Sequence, residues 1–321
     1  MKRFRSMISV LIVMVMLFAM CSCGLSGGGN DDTYSVAYSC IADAIAPFPN
    51  IMRTELQEQC ADKGWEFNYL AAEGDFELQA EQVSQLLAQD PDVLLVWAGD
   101  AALSPMYIAE ANEKGIPVIL MMCSIAEEYR DQVYGFVGSD MYQVSYEQGQ
   151  RMVEKYGADS EQLVVCVSGV ESQQDYQDKL RGFTDAIADT NWTFVGPTYC
   201  LSSRDTAHSA METYIATYGD EIDICIGFDD DLTMGCVNAI EEAGMTGEID
   251  VYSQMGMIEM VQAIRDGKAT ETLALPASYN VAKVIEAIET CQSGEEPENW
   301  FFAADYLFVT SENCDEYEGE F

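Results

Sequence analysis

Apolar and polar positions along the chain follow two periods that take turns. Short β-branched and apolar runs occupy 34–40, 66–70, 92–97, 116–120 and 134–137. Between them lie helix-length segments whose apolar residues recur every three or four positions. In 48–63, Met52, Leu56 and Cys60 mark one face and Gly64 supplies the stop. Asp75 stands where a cap is needed before a helix whose apolar face is Phe76, Ala80, Val83 and Leu87. The run 92–97 is almost continuously apolar, as expected of a parallel strand covered on both faces. A helix over 105–114 leads through Gly115 into the run 116–120.

The series then restarts. Ser139 and Asp140 can cap a helix reaching Tyr156, which Gly157 stops. Strands are predicted over 163–168, 192–199, 222–228, 249–254, 270–275 and 300–309, and helices over 172–188, 206–218, 229–243, 258–265 and 281–291. Such alternation predicts an α/β fold: two Rossmann-like lobes, each a parallel sheet flanked by helices. The break at 138–141 is the natural boundary, and no long linker separates the halves, so the boundary is a hinge. Ligands of open parallel sheets sit at the carboxyl ends of the strands, and two such sheets face to face make a cleft.

The first residues do not fit this pattern. Lys2, Arg3 and Arg5 precede an apolar run from Met7 to Met20, broken only by Ser9. That run suits the core of a signal peptide better than a membrane span. Ser22 is small enough to precede a cleavage site, so residues 1–22 read as a lipoprotein signal and Cys23 as the lipidated residue, similar to a bacterial lipobox. Cys21 is the other choice. Residues 23–33 are a Gly/Ser/Asn/Asp tether. With 55 acidic and 15 basic residues the net charge is −40, which disfavours nucleic acid as a partner. Glu312, Asp315, Glu316, Glu318 and Glu320 make 311–321 an acidic tail. Asp229, Asp230 and Asp231 lack the alternating spacing of a calcium loop, and the cysteines form no CxxC pair, so no metal or cofactor is expected. The single histidine, His208, has no motif around it. No GxSxG, HExxH, P-loop or GxGxxG is present, which argues against an enzyme.

Several stretches now matter as a set: Ala46-Pro47-Phe48, Gly115-Ile116-Pro117-Val118-Ile119, Val137-Gly138-Ser139-Asp140, Arg181-Gly182-Phe183, Asp229-Asp230 opening a helix, and Ile264-Arg265-Asp266-Gly267-Lys268. In this order and spacing, over about residues 34–295, the chain resembles the type I periplasmic binding proteins, and among them the ribose and galactose group. The resemblance implies three crossings between lobes, near Gly138, near Pro276 and before the final strand. The amino-terminal lobe would be 34–137 plus 277–299, and the carboxyl-terminal lobe 138–276 plus 300–310. It also implies ligand positions. Phe48 matches an aromatic that stacks on a sugar ring. Trp97 and Asp100 lie where that group lines its cleft, and Ser139 matches a cleft residue at the first crossing. Lys179 stands at a binding Arg position, Asp229 replaces a cleft Asn, and Gln254 adjoins a ligand position taken by Met255. Strand four departs most: Met122 and Cys123 stand where an Asp-Arg pair would grip hydroxyls.

The function so implied is capture of a small polar ligand, a sugar or sugar derivative, by hinge closure. The protein would be a monomer outside the cytoplasmic membrane, lipid-anchored, serving the permease of an ABC importer. A co-receptor for a membrane sensor or chemoreceptor would use the same cleft, and the loss of the Asp-Arg pair also admits a deoxy or acetylated sugar, a nucleoside or a signalling molecule. A transcription regulator of related fold would need a basic helix-turn-helix where the signal peptide stands.

Overall fold

The computed structural model describes residues 33–42, 47–98, 104–122, 127–171, 173–201 and 203–321. The expected signal 1–22, the lipidation site Cys23 with its tether to residue 32, and Ala46, Asp100 and Cys123 lie outside the described residues. Among the described residues no helix is long and apolar enough to cross a membrane.

The chain begins with β1 (Ser35–Cys40), α1 (Pro47–Asp62), β2 (Glu66–Ala71), α2 (Phe76–Leu87), β3 (Val93–Trp97), α3 (Ser104–Lys114), β4 (Val118–Met121) and β5 (Gly135–Gly138). It continues through α4 (Met141–Tyr156), β6 (Leu163–Ser168), α5 (Gln174–Ala186), β7 (Thr193–Tyr199), α6 (Arg204–Tyr218), β8 (Ile224–Gly227) and α7 (Asp230–Glu242). Then come β9 (Asp250–Met255), α8 (Ile258–Arg265), β10 (Glu271–Ala274), α9 (Ala277–Ser293), β11 (Phe301–Ala303) and β12 (Leu307–Thr310). The described residues make two six-stranded sheets, β11-β5-β4-β3-β1-β2 and β12-β10-β9-β8-β6-β7. All pairings are parallel except β10 with β12. This is the arrangement of two mostly parallel sheets expected from the alternation.

Both faces of each sheet are covered, and the strand sequences show it. On the second sheet Val165, Val167 and Val251 pack with Met211, Leu232 and Val237 on one side. Val164, Cys166, Ile224 and Ile226 pack with Met152 and Phe183 on the other. Alternate residues of one strand therefore serve two apolar layers, which is why β6 reads as a continuous apolar run. Burying a side chain the size of Phe183 contributes about 1.5–3 kcal/mol. Caps fall where the sequence places them: Asp75 Oδ1 accepts the N–H groups of Glu77 and Leu78, both at 3.0 Å. Asp140 Oδ1 accepts that of Gln143 at 2.9 Å. Of the eight cysteines among the described residues, all but Cys291 are buried.

Two segments differ from expectation. The run 300–309 is not one strand of the second lobe. Phe301–Ala303 pairs with β5 in the first sheet, Leu307–Thr310 pairs with β10 in the second, and the third crossing runs through 304–306. The reason is non-local: the rings of Trp300 and Phe301 stack on Phe136 of β5, with centroids 5.6 and 5.2 Å apart. Residues 311–321 are not a solvated tail either. Cys314 is buried with Val261, Ile264 and Val309, and Arg265 Nη2 donates to the Tyr317 carbonyl at 3.0 Å.

Candidate ligand-binding cleft

On the first lobe, β1 and β3 are neighbours with Cys40 opposite Trp97. Phe48, in the first turn of α1, therefore returns over the carboxyl end of the sheet and meets Trp97. The two rings pack edge to face with centroids 6.2 Å apart. Gln79 Nε2 donates to the Trp97 carbonyl at 2.8 Å, fixing that strand end from α2. Phe48 is only 8 % exposed, and a third ring, Phe321, contacts it at 5.7 Å.

On the second lobe the corresponding strand ends carry charge. Lys179, on α5, is buried, and its Nζ donates to the Phe228 carbonyl at 2.8 Å, just beyond β8. Burial pushes its pKa down, while the nearby carboxylates of Asp229, Asp175 and Asp230 pull it up. The Tyr176 ring lies 5.4 Å from Nζ, a cation–π contact. Asp229 caps α7: its Oδ1 accepts from Asp231 N at 2.9 Å and Leu232 N at 3.4 Å. Asp230, fully buried, accepts from the N–H groups of Gly256 and Met257 through Oδ2 and from the Thr272 hydroxyl through Oδ1. Burial raises its pKa to about 6 against the pull of those hydrogen bonds.

The other expected residues are placed as follows. Ser139 leaves β5 at the first crossing, buried, with no hydrogen-bond partner for its Oγ among the described residues. Met122 follows β4 at φ 59°, and its N–H donates to the Val137 carbonyl at 2.8 Å. Met255, ending β9, also holds a positive φ, 132°. A methionine in such backbone costs on the order of 1–2 kcal/mol, and strain of this kind gathers at ligand clamps. Gln254 points elsewhere: its Nε2 donates to Ser145 Oγ at 2.7 Å and Gln148 Oε1 at 2.9 Å, both on α4. It belongs to a buried polar network that ends in the Arg151–Glu271 ion pair, 2.7 Å. The sequence reading passed over Ser168, which ends the apolar β6 as a buried hydroxyl with no partner among the described residues. A polar residue closing an apolar strand was the available signal. It also passed over Phe321, for which no local pattern gives a sign.

The arrangement offers ring faces, a cation and carboxylates, and among the described residues no nucleophile stands beside a base. His208 lies on α6 with its ring nitrogens 3.7 Å from a Glu212 carboxylate oxygen and 3.2 Å from one of Glu242. A separate cavity of about 380 Å³ lies between α5 and β7, lined by Gln177, Leu180, Arg181, Thr184, Phe194, Gly196 and Pro197.

Two six-stranded, mostly parallel sheets covered by helices make up the type I periplasmic binding protein fold. Residues 36–296 match the periplasmic binding protein domain, and the chain belongs to that family. The family and the relatives named for xylitol and ribose are binding proteins. The chain is 24 % identical to the xylitol-binding protein of Mycolicibacterium smegmatis over 237 residues, 70 % of this chain and 63 % of that protein. It is 23 % identical to the ribose import binding protein of Bacillus subtilis over 272 residues, 82 % of this chain and 86 % of that one. Its fold superposes on a periplasmic ribose ABC transporter structure from Conexibacter woesei with a TM-score of 0.81 at 22 % identity, covering 90 % of this chain and 96 % of that one.

Proposed function

We propose that this chain is the extracytoplasmic solute-binding lipoprotein of an ABC importer, anchored through Cys23. It captures a sugar or polyol between Phe48 and Trp97 of one lobe and Lys179 and Asp229 of the other. The observation that carries this reading is the contact between Phe48, in the first turn of α1, and Trp97, at the carboxyl end of β3. An aromatic face complements the C–H face of a sugar ring, and charged groups across the cleft grip hydroxyls. Relatives named for xylitol and ribose support the ligand class. Ser139 and Ser168 add buried hydroxyls in want of partners. Met122 and Met255 favour a ligand with one poorly hydroxylated edge, such as a deoxy or acetylated sugar. Ligand touching both lobes stabilises the closed state by that differential contact, and the closed form docks on the permease.

The test is a thermal-shift screen of the 24–321 chain against monosaccharides, polyols, nucleosides and amino acids. Ligand at a hundredfold over its Kd adds about 2.7 kcal/mol to stability. Sugars or polyols should raise Tm, and Phe48→Ala should abolish the rise while circular dichroism stays native. Asp229→Asn, which keeps the cap, should weaken binding. A rise with nucleosides or amino acids alone would replace the ligand class. Wild-type affinity in both variants would remove these residues from the site.

A further inference from the structure

Residues 317–321 run from the second lobe to the first across the carboxyl ends of the strands. On the second lobe, Arg265 holds the Tyr317 carbonyl, and Tyr317 Oη donates to the Gly256 carbonyl at 3.4 Å. Glu320 N donates to the same carbonyl at 2.9 Å, and Ile258 N donates to the Phe321 carbonyl at 3.3 Å. Close fit accompanies these bonds. A Cβ on Gly319, which has φ 87°, would lie 2.6 Å from Ile258 Cα, so only glycine lets the segment approach α8 this closely. On the other side, Glu320 Oε2 accepts the N–H of Ala277 at 2.8 Å. Ala277 is the first residue of α9, which packs on α1 and β5 of the first lobe. The Phe321 ring meets Phe48 at 5.7 Å with an interplanar angle of 70°. Phe48, the residue best suited to carry a sugar ring, is thus already covered by rings from its own chain.

We infer that residues 317–321 are a strap that ties the lobes together, and that a ligand's ring replaces Phe321 on Phe48. Two consequences follow. Opening of the cleft has to break the Phe321–Phe48 and Glu320–Ala277 contacts. Apparent affinity is lowered by the fraction of molecules in which Phe321 holds the platform, so removing that ring tightens binding. The displacement half rests on Phe48 being the ligand platform, as proposed above; the strap half does not.

The experiment uses the full chain with Phe321→Ala, alone and with Glu320→Ala, both checked by circular dichroism. Small-angle X-ray scattering without ligand reads the strap: the double variant should show a larger radius of gyration than wild type. Titration with D-ribose, xylitol and myo-inositol, followed by tryptophan fluorescence, reads the displacement: Phe321→Ala should bind about three- to tenfold more tightly, the range a ring–ring contact supplies. An unchanged scattering curve overturns the strap whatever the sugars do. A wider ligand-free molecule whose sugar affinity is unchanged or weaker overturns the displacement and makes Phe321 a wall of the site or a bystander. If none of the three sugars binds wild type, it is the sugar reading that fails, and the scattering still decides the strap.

Discussion

Asp229 and Asp230 stand side by side and meet different environments. Asp229 caps α7 at the cleft face, with one oxygen taken up by backbone N–H groups. Asp230 points inward and fastens the turn after β9, at Gly256 and Met257, to β10 through Thr272. Because its folded pKa is raised from 3.8 to about 6, the folded state holds a proton there that the unfolded chain has released. Stability contributed by Asp230 is therefore full below about pH 4 and is lost as pH rises through 6. The change is on the order of 2–3 kcal/mol. Asparagine can accept the two N–H groups and donate to Thr272, so Asp230→Asn should fold. In urea melts at pH 5 and pH 8, the difference between variant and wild type should move in the variant's favour at the higher pH. A pH-independent difference would mean the carboxyl does not titrate in this range. Lys179 shows the limit of residue-level reading. Its type suggests a solvated lysine on a helix, yet it is 4 % exposed and donates to a strand-end carbonyl.

The elements pair through small residues. A Cβ on Gly182 of α5 would lie 2.1 Å from the Tyr142 carbonyl of α4, and one on Gly235 of α7 would lie 2.3 Å from the Arg204 carbonyl of α6. In both cases the obstacle is backbone, which cannot turn aside. Gly182→Leu is expected to force α4 and α5 apart, at a cost of about 1–3 kcal/mol. Thermal melting should fall by several degrees with the far-ultraviolet spectrum unchanged. An unchanged Tm would show the helices free to separate. The existence and order of the elements were legible from hydrophobic period alone, because each strand and helix must bury its own stripe. The division of 300–309 between two sheets was not, because it depends on Phe136 stacking against Trp300 and Phe301, residues far apart in sequence.

At the scale of the molecule, a net charge of −40 over the whole chain favours expansion. Added salt screens that repulsion, so Tm of the ligand-free protein should rise by a few degrees between 20 and 200 mM NaCl. A flat or falling dependence would point to local ion pairs, such as Arg204 with Asp231 and Glu259, outweighing the net charge. The sequence by itself determined two α/β lobes, the order of their elements along the chain, and the caps at Asp75 and Asp140. These follow from period and from residue chemistry, both local properties. Only the tertiary structure decided that Gln254 turns to α4, that Lys179 is buried against Phe228, and that Phe321 lies on Phe48. Each of those depends on which distant backbone comes within a few ångströms, and no local pattern of side chains encodes that distance.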